Sequence, residues 1–240
     1  PRAPLLERGD FNLHVLDVGQ GLSVVVETRH HTLVFDTGPA YPSGFSTVDA
    51  VLMPFLQTRQ RARIDRLILS HGDKDHAGAA ERLVRAIDVR NIMSGEPWRV
   101  GVPSRACQAG DSWRWDGVDF EILHPKASHR RDGNNASCVL RIANAHSVAL
   151  LTGDIEATAE YELIASAAGR LASDLVVAPH HGSATSSSQA SMRSPNFTTL
   201  TVLRVMVTAT TTTRSPFTQV PFVAPRSTSV TAPLRISSMA

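Results

Sequence analysis

Hydrophobic residues recur along the chain with two periods, one typical of strands and one typical of helices. Alternation of apolar and polar positions, or a run of β-branched residues, predicts strands in several segments. These segments cover residues 11–19, 22–28, 31–38, 65–70, 89–95, 110–125, 138–154 and 174–179. A helical period predicts helices over residues 46–57, 78–87 and 156–169. Strands therefore alternate with single helices, which indicates a mixed α/β fold in which helices cover sheets.

The composition fits one globular domain followed by a segment of different character. The chain has 240 residues, of which 42% are hydrophobic, enough for a full core. After Gly182, however, no glycine and no acidic residue occurs, and serine and threonine dominate. A folded segment normally uses glycine in its turns. We therefore predict a domain over residues 1–183 and a poorly ordered or out-of-frame tail over residues 184–240.

The sequence disfavours membrane proteins, secreted precursors and disulfide scaffolds. No apolar run is long enough to span a membrane, and residues 1–15 lack the basic and apolar regions of a signal peptide. The expectation is a soluble domain, cytoplasmic if it stands alone. Two cysteines, Cys107 and Cys138, are too few for a disulfide framework and form no CxxC pair. We predict two free thiols in or near the core.

The stretch SHGDKDHAG, residues 70–78, has the strongest chemical signal in the chain. His71, Asp73, Asp75 and His76 follow the predicted strand 65–70 and precede a predicted helix. Imidazole and carboxylate groups are ligands for Zn²⁺ and Mn²⁺, and strand ends hold side chains rigidly. An aspartate here could instead cap the following helix, but capping does not explain two histidines.

Three further strand ends carry residues of the same types. Asp36 follows a strand in FDTG, Asp154 follows one in LLTGDIE, and His180 and His181 follow one in VVAPHHGS. We interpret Asp36 as a residue that orients a ligand rather than as a ligand itself. Together these strand ends predict one metal centre.

The pattern His71-x-Asp73-x-Asp75-His76, with Asp154 and HHGS, resembles the metallo-β-lactamase superfamily, which usually reads His-x-His-x-Asp-His. Aspartate in the second place, with LDVGQG, NNAS, LLTGDIE and HHGS, is similar to the ComEC-type DNA-internalisation hydrolase domain of competence proteins. The resemblance covers residues 11–183 and implies a four-layer αββα sandwich. We expect that sandwich to be incomplete in its second half, because the family's final strands have no match in the tail.

The resemblance also implies two adjacent metal positions. His71 and Asp73 would face one ion, Asp75 and His76 would face the other, and Asp154 would bridge them. The histidine that usually precedes the bridging aspartate has no match, so the first position is richer in oxygen and more suited to Mn²⁺. One or two ions of Zn²⁺ or Mn²⁺ per chain are expected. The implied ligands are His71, Asp73, Asp75, His76, Asp154 and either His180 or His181.

The implied activity is that of a metal-dependent phosphodiesterase or nuclease acting on DNA, with single-stranded DNA as the expected substrate, during DNA uptake. A bound metal would activate water as hydroxide, with Asp154 and Asp75 as catalytic residues and Asp75 as proton acceptor. Asn135 and Ser137 of the NNAS loop would orient the ligands, and Arg130 and Arg131 could contact phosphate. The partner would be a membrane-embedded DNA-uptake protein.

Two alternatives stay open from the sequence. One is a hydrolase of the same fold that acts on a small ester or phosphodiester. The other is a non-catalytic remnant with a damaged metal site. Trp98, Trp113 and Trp115 are predicted to pack against the sheets rather than to stack on bases. His124 is the nearest substitute for the unmatched histidine.

Overall fold

The computed structural model describes residues 6–127, 132–182, 201–203 and 228–231. The strands are β1 (Asn12–Val15), β2 (Val24–Glu27), β3 (Thr32–Phe35), β4 (Arg63–Ile64), β5 (Arg66–Leu69), β6 (Asp88–Val89), β7 (Ile92–Ser94), β8 (Arg105–Ala106), β9 (Ser112–Trp115), β10 (Val118–His124), β11 (Val139–Ala143), β12 (Val148–Leu151), β13 (Leu175–Val177), β14 (Thr201–Leu203) and β15 (Thr228–Thr231). The helices are α1 (Met53–Thr58), α2 (Lys74–Ala77), α3 (Ala80–Ala86) and α4 (Ala157–Ala167). A π-helical turn spans Val48–Leu52, and 3-10 turns span Gly133–Ala136, Ala168–Arg170 and Pro179–Gly182.

Two large sheets contain most of these strands. The first has the order β15-β1-β2-β3-β5-β7-β8, and the second has the order β14-β13-β12-β11-β10-β9. Strands β4 and β6 form a separate parallel pair. Strands β3, β5, β7 and β8 run parallel to one another, as do β12, β13 and β14. Parallel neighbours end at the same edge of a sheet, so the loops that follow them meet there.

The side chains of each central strand alternate between two cores. In β2, Val24 and Val26 point into the core between the sheets, whereas Val25 points outward to a second core under α1 and α3. The second sheet repeats this pattern, because Val176 of β13 joins a third core under α4. Burial on both faces explains why these strands read as continuous apolar runs. The predicted four-layer αββα sandwich is confirmed.

Residues 184–240 are described only at β14 and β15, which lie at the outer edges of the two sheets. The prediction of a poorly ordered tail falls mainly on residues outside the described part and stays a prediction. No helix among the described residues is both long enough and apolar enough to cross a membrane.

The two cysteines are bonded to each other, so the prediction of free thiols is wrong. Cys107 follows β8 in the first sheet and Cys138 precedes β11 in the second, and their sulfurs form a disulfide. Both residues are buried in the core between the sheets, as predicted. Their separation of 31 residues has no motif spacing, and only the packing of the two sheets brings them together.

The tryptophans divide into two groups. Trp113 and Trp115 lie on β9 and pack against the core between the sheets, as predicted. Trp98 lies outside the strands and leaves 49% of its surface exposed, and its packing against a sheet stays a prediction. It belongs to the loop between β7 and β8.

A buried carboxylate at the end of β2 anchors α1 and the loop that follows it. Glu27 accepts hydrogen bonds from Arg61 Nε at 2.7 Å and Arg59 Nε at 3.0 Å, and it lies 2.9 Å from His14 Nε2. Burial alone would raise the pKa of Glu27, but the hydrogen bonds from His14, Arg59 and Arg61 outweigh burial and lower it to about 2. The folded state therefore binds the ionised form more strongly than the unfolded chain does.

Stability is expected to depend on Glu27 at acidic pH. Because its folded-state pKa of about 2 lies below the ordinary 4.5, its stabilisation is present above pH 4.5 and is lost as pH falls towards 2. That difference corresponds to about 3 kcal/mol. Urea unfolding is expected to show that Glu27→Gln has a lower free energy of unfolding than the wild type at neutral pH. Below pH 4.5 that free energy is expected to fall less steeply with pH than it does in the wild type. Glu81→Gln, at an exposed ion pair, is the control and is expected to match the wild type. An unchanged acid limb in Glu27→Gln would contradict the prediction.

Candidate metal centre

The candidate metal-binding residues predicted from the sequence lie together at one edge of the sandwich. Asp36 follows β3, His71 follows β5, Asp154 follows β12 and His180 follows β13. Because parallel strands of the two sheets end at this edge, residues from distant parts of the chain are placed side by side. The strand-end pattern in the sequence therefore reports a real spatial grouping for most of these residues.

Three buried side chains form the centre of the group. His71, His76 and Asp154 each offer a ligand atom, and these atoms all lie within 4.8 Å of one another. Nε2 of His76 is 3.2 Å from Oδ2 of Asp154. The rings of His71 and His76 lie 4.5 Å apart between centroids. Two imidazoles and a carboxylate converging on one point form a donor set suited to a divalent cation.

Two further carboxylates lie beside the buried centre. Oδ2 of Asp73 is 3.5 Å from Nε2 of His71, and Oδ2 of Asp75 is 4.0 Å from Nε2 of His76. Both aspartates are partly exposed, with side-chain exposures of 38% and 32%. The arrangement places each aspartate next to the histidine with which the resemblance pairs it. Their role as ligands stays a prediction.

His180 lies at the margin of the centre and outside the cluster of three. Its Nδ1 is 3.6 Å from Oε1 of Glu156, and its Nε2 is 3.5 Å from the side-chain amide of Asn134. The side chain of His181, together with Arg130 and Arg131, lies outside the described part of the chain. A ligand from the HHGS motif and a phosphate contact from the two arginines both stay predictions.

Asp36 fixes the orientation of the second histidine. Its Oδ2 lies 2.8 Å from Nδ1 of His76 and also accepts a hydrogen bond from the Ser70 hydroxyl at 2.7 Å. Its Oδ1 accepts a hydrogen bond from the Ser70 backbone N–H at 2.6 Å. A carboxylate can only accept, so His76 donates from Nδ1 to Asp36 and from Nε2 to Asp154, and a cation would replace the Nε2 proton while Asp36 keeps its bond to Nδ1. This is the arrangement that a metal-binding histidine requires.

Charge and burial act differently on the two histidines. Burial lowers the pKa of His71, and the neighbouring His76 lowers it further, so this imidazole is neutral. Burial would also lower the pKa of His76, but Asp36 and Asp154 outweigh burial and raise it well above its ordinary value. The carboxylates thus create a field that favours positive charge at this point, which is the field that a divalent cation would meet.

His71 provides the clearest sign that the residues fit a cation. Its Nε2 is buried and has no hydrogen-bond partner among the described residues. A buried polar atom without a partner costs free energy, and native structures seldom leave one without a reason. A cation between His71 and Asp154 would supply that partner. The residues present therefore fit a divalent metal.

The NNAS loop supports the centre from the second sheet. Ser137 Oγ accepts a hydrogen bond from the Asp154 backbone N–H at 3.1 Å and lies 3.4 Å from Nδ1 of His71. Asn135 Oδ1 accepts a hydrogen bond from the Glu156 backbone N–H at 3.0 Å. Both residues therefore contact the segment that carries Asp154, although their part in orienting ligands stays a prediction.

Close packing at this edge depends on a glycine. Gly153 has φ of +55°, a backbone conformation that L side chains rarely adopt. A Cβ there would lie 2.8 Å from Cβ of Ser70 and 2.9 Å from Cβ of Ser137. Glycine thus lets the two sheets approach closely enough for Asp154 to reach His76.

Sequence reasoning missed three residues of the site. Ser70 lies between Asp36 and the two histidines, and Glu96 and Arg99 lie in the loop after β7. Strand β7 is the parallel neighbour of β5, so its carboxyl end reaches the same edge. The segment GEPWR, residues 95–99, therefore follows a strand end, as the other site residues do. It contains no histidine and no pair of aspartates, so it gave no metal-site signal.

The model of the metallo-beta-lactamase superfamily matches residues 16–195, about three quarters of the chain. The chain belongs to this superfamily. Members of the superfamily bind divalent metals, usually zinc, and the fold supports a metal-dependent hydrolase, with His71, His76 and Asp154 as its candidate metal site.

Curated relatives confirm the resemblance to competence proteins. The chain is 40% identical over 174 residues to the Competence protein ComA of Neisseria gonorrhoeae, which covers 72% of this chain and 24% of the relative. It is 35% identical over 185 residues to Recombination protein 2 of Haemophilus influenzae, covering 77% of this chain and 23% of the relative. It is 30% identical over 195 residues to the ComE operon protein 3 of Bacillus subtilis, covering 70% of this chain and 25% of the relative. The chain thus spans about a quarter of the length of these relatives.

Solved structures of the same fold are more distant in sequence. The Rm3 metallo-beta-lactamase aligns with 74% of this chain and 77% of its own, with 16% identity and a TM-score of 0.49. The metallo-beta-lactamase SMB-1 aligns with 75% of this chain and 80% of its own, with 14% identity and a TM-score of 0.49.

Proposed function

We propose that this domain is a metal-dependent phosphodiesterase that cleaves DNA, preferably single-stranded, during DNA uptake. The observation that carries the proposal is the buried cluster of His71, His76 and Asp154, flanked by the two partly exposed aspartates of the same motif. Relatives named for competence and recombination support DNA as the substrate. The partner would be the remainder of a membrane-associated DNA-uptake protein.

The residues of this chain have separate tasks in such a reaction. When bound, a divalent cation lowers the pKa of a coordinated water molecule and draws charge from a phosphoryl oxygen. His71, His76 and Asp154 would hold the cation, and Asp36 would keep Nε2 of His76 directed at it through its bond to Nδ1. Asp75, with a side chain 32% exposed, would accept the proton of the attacking water at a carboxylate oxygen and release it to solvent.

Exposed aromatic side chains in the loops that follow β3 and β7 support a single-stranded substrate. Trp98 is 49% exposed and precedes Arg99, whose guanidinium contacts Asp73. Tyr41 and Phe45 are 50% and 51% exposed, in the loop that follows Asp36 and the end of β3. Unpaired bases stack on such side chains, at about 1–3 kcal/mol per base, whereas paired bases are not available to them.

The proposal predicts metal-dependent cleavage of single-stranded DNA by the full chain. The protein is stripped with a chelator, reloaded with Zn²⁺ or Mn²⁺, and assayed on labelled single-stranded DNA, duplex DNA and bis(p-nitrophenyl) phosphate. We expect kcat/KM for single-stranded DNA to exceed that for duplex DNA by about 10–100-fold, because one or two unpaired bases can stack on the exposed aromatic side chains. The chelator-treated protein, without added metal, is the matched control.

Other outcomes would identify a different function. Efficient cleavage of the small diester with no preference for DNA would favour a small phosphodiester as the substrate. Hydrolysis of a β-lactam or a carboxylic ester in place of either would remove phosphodiesters from the proposal altogether. Metal content near zero after reloading, together with no hydrolysis, would indicate a non-catalytic remnant.

A further inference from the structure

A buried glutamate joins the loops on both sides of the metal centre. Glu96 is fully buried, and its Oε2 accepts a hydrogen bond from the Gly72 backbone N–H at 2.8 Å. Its Oε1 accepts one from the Gly133 backbone N–H at 2.9 Å. Gly72 lies within the histidine–aspartate motif and Gly133 begins the NNAS loop. One carboxylate therefore fixes the distance between these two loops.

The same glutamate holds an arginine over the centre. Nη1 of Arg99 donates to both carboxylate oxygens of Glu96, at 3.0 and 2.8 Å. Hydrogen bonds and charge from Glu96 raise the pKa of Arg99 above its ordinary value, so the guanidinium stays charged. The stem of Arg99 lies against Gly72, where a Cβ would come within 2.5 Å of Cβ of Arg99. Glycine in the motif thus makes room for this arginine.

The arginine divides the two oxygens of Asp73 between two tasks. Nη2 of Arg99 donates to Oδ1 of Asp73 at 2.9 Å. The other oxygen, Oδ2, is the one that lies 3.5 Å from Nε2 of His71. Because Oδ1 is held by Arg99, Oδ2 is directed at the position that the buried Nε2 of His71 also faces.

We propose that Arg99, clamped by Glu96, is a positioning residue that holds Asp73 as a metal ligand beside His71. A ligating histidine is oriented through a hydrogen bond from its second nitrogen. At position 73 the chain has aspartate where the superfamily usually has histidine, and here the second carboxylate oxygen accepts the orienting bond from Arg99. The planar guanidinium suits this task, because it can bind Glu96 and Asp73 at once with fixed geometry. The inference rests on the metal centre of the proposed function, and it does not depend on DNA as the substrate.

The positive charge of Arg99 allows an orienting role to be distinguished from a purely electrostatic one. A cationic side chain near a cation is repulsive, so if Arg99 acted only through its charge, its removal would tighten metal binding. If Arg99 acts by orienting Asp73, its removal weakens metal binding, because the carboxylate is then free to rotate. The two accounts predict changes of opposite sign.

The experiment measures metal binding apart from catalysis. Chelator-treated wild type and Arg99→Ala are titrated with Mn²⁺ by calorimetry and with Co²⁺ by visible absorption, which reports the ligands directly. We expect the dissociation constant of the weaker-binding ion to rise about 10–100-fold in Arg99→Ala, with an altered Co²⁺ spectrum. Arg99→Lys keeps the charge but loses the planar guanidinium that binds Glu96 and Asp73 at once. It is expected to bind metal nearly as weakly as the alanine variant. Arg85→Ala, at an exposed ion pair on α3, is the control and is expected to match the wild type.

A double-mutant cycle distinguishes the loss of the Arg99–Asp73 interaction from a general loss of structure. Asp73→Asn is expected to weaken metal binding by itself, and Arg99→Ala is expected to add little in the Asp73→Asn background, because both changes remove one interaction. Additive effects, or unchanged or tighter binding in Arg99→Ala, would overturn the proposal. Failure of the wild type to cleave DNA would overturn only the proposed function, since metal binding is measured without substrate.

Discussion

Replacing His71 or Asp154 with alanine is expected to abolish both metal binding and hydrolysis. Each change removes one of the three buried ligand atoms that converge within 4.8 Å. Lewis-acid stabilisation contributes several kcal/mol to the transition state, so we expect kcat/KM to fall at least about 1,000-fold. Elemental analysis of the metal-replete protein measures occupancy, and cleavage of labelled single-stranded DNA measures the rate.

Matched controls separate the loss of a ligand from the loss of a residue type. His146 lies exposed in the turn between β11 and β12, and Asp119 lies in an exposed ion pair with Arg114. His146→Ala and Asp119→Ala are expected to keep wild-type metal content and activity. Near-stoichiometric metal together with wild-type cleavage in His71→Ala would place the reactive centre elsewhere in the protein.

The residues that could be predicted from the sequence are those with a local signal. Asp36, His71, His76 and Asp154 each follow a strand whose apolar run is visible in the chain, and each has a side chain typical of metal sites. Strand ends of a parallel sheet converge by geometry, so the sequence order of these motifs was enough to predict that they meet. The mixed α/β plan followed from the same alternation of strands and helices, whereas the four-layer order was implied by the resemblance to the metallo-β-lactamase superfamily.

The interactions that could not be predicted depend on contacts between the sheets. The disulfide of Cys107 with Cys138 joins residues whose spacing resembles no motif, and only the packed core reveals the pair. Glu96 gives no sign in the sequence that it will be buried, because the hydrogen-bond donors that make its burial favourable come from two other loops. Arg99 likewise has a role only through Glu96 and its neighbours. Long-range partners decide what such polar residues do.

Replacing Asp36 with asparagine is expected to weaken metal binding about 10–100-fold without changing any ligand. Asp36 is fully buried and accepts hydrogen bonds from Nδ1 of His76 and from both the backbone N–H and the hydroxyl of Ser70. An amide has nearly the same shape, but one of its two ends donates. In either orientation the asparagine therefore places a donor against Ser70 or His76. Calorimetric titration with Mn²⁺ and urea unfolding would measure the two consequences.

The amide acts through the tautomer of His76. A donor opposite Nδ1 favours the imidazole form that carries its proton on Nε2, and a protonated Nε2 cannot bind a cation. Asp65→Asn is the matched control, because Asp65 is also buried and accepts the Thr32 backbone N–H, but at the far end of β3. Both variants are expected to lose stability: Asp36→Asn by about 1–3 kcal/mol, since it leaves a buried donor without an acceptor, and Asp65→Asn by less, since its amide oxygen can still accept from Thr32 while its ion pair with Arg63 is lost. Only Asp36→Asn should lose metal affinity; equal affinity in the two variants would mean that the orientation of His76 does not depend on Asp36.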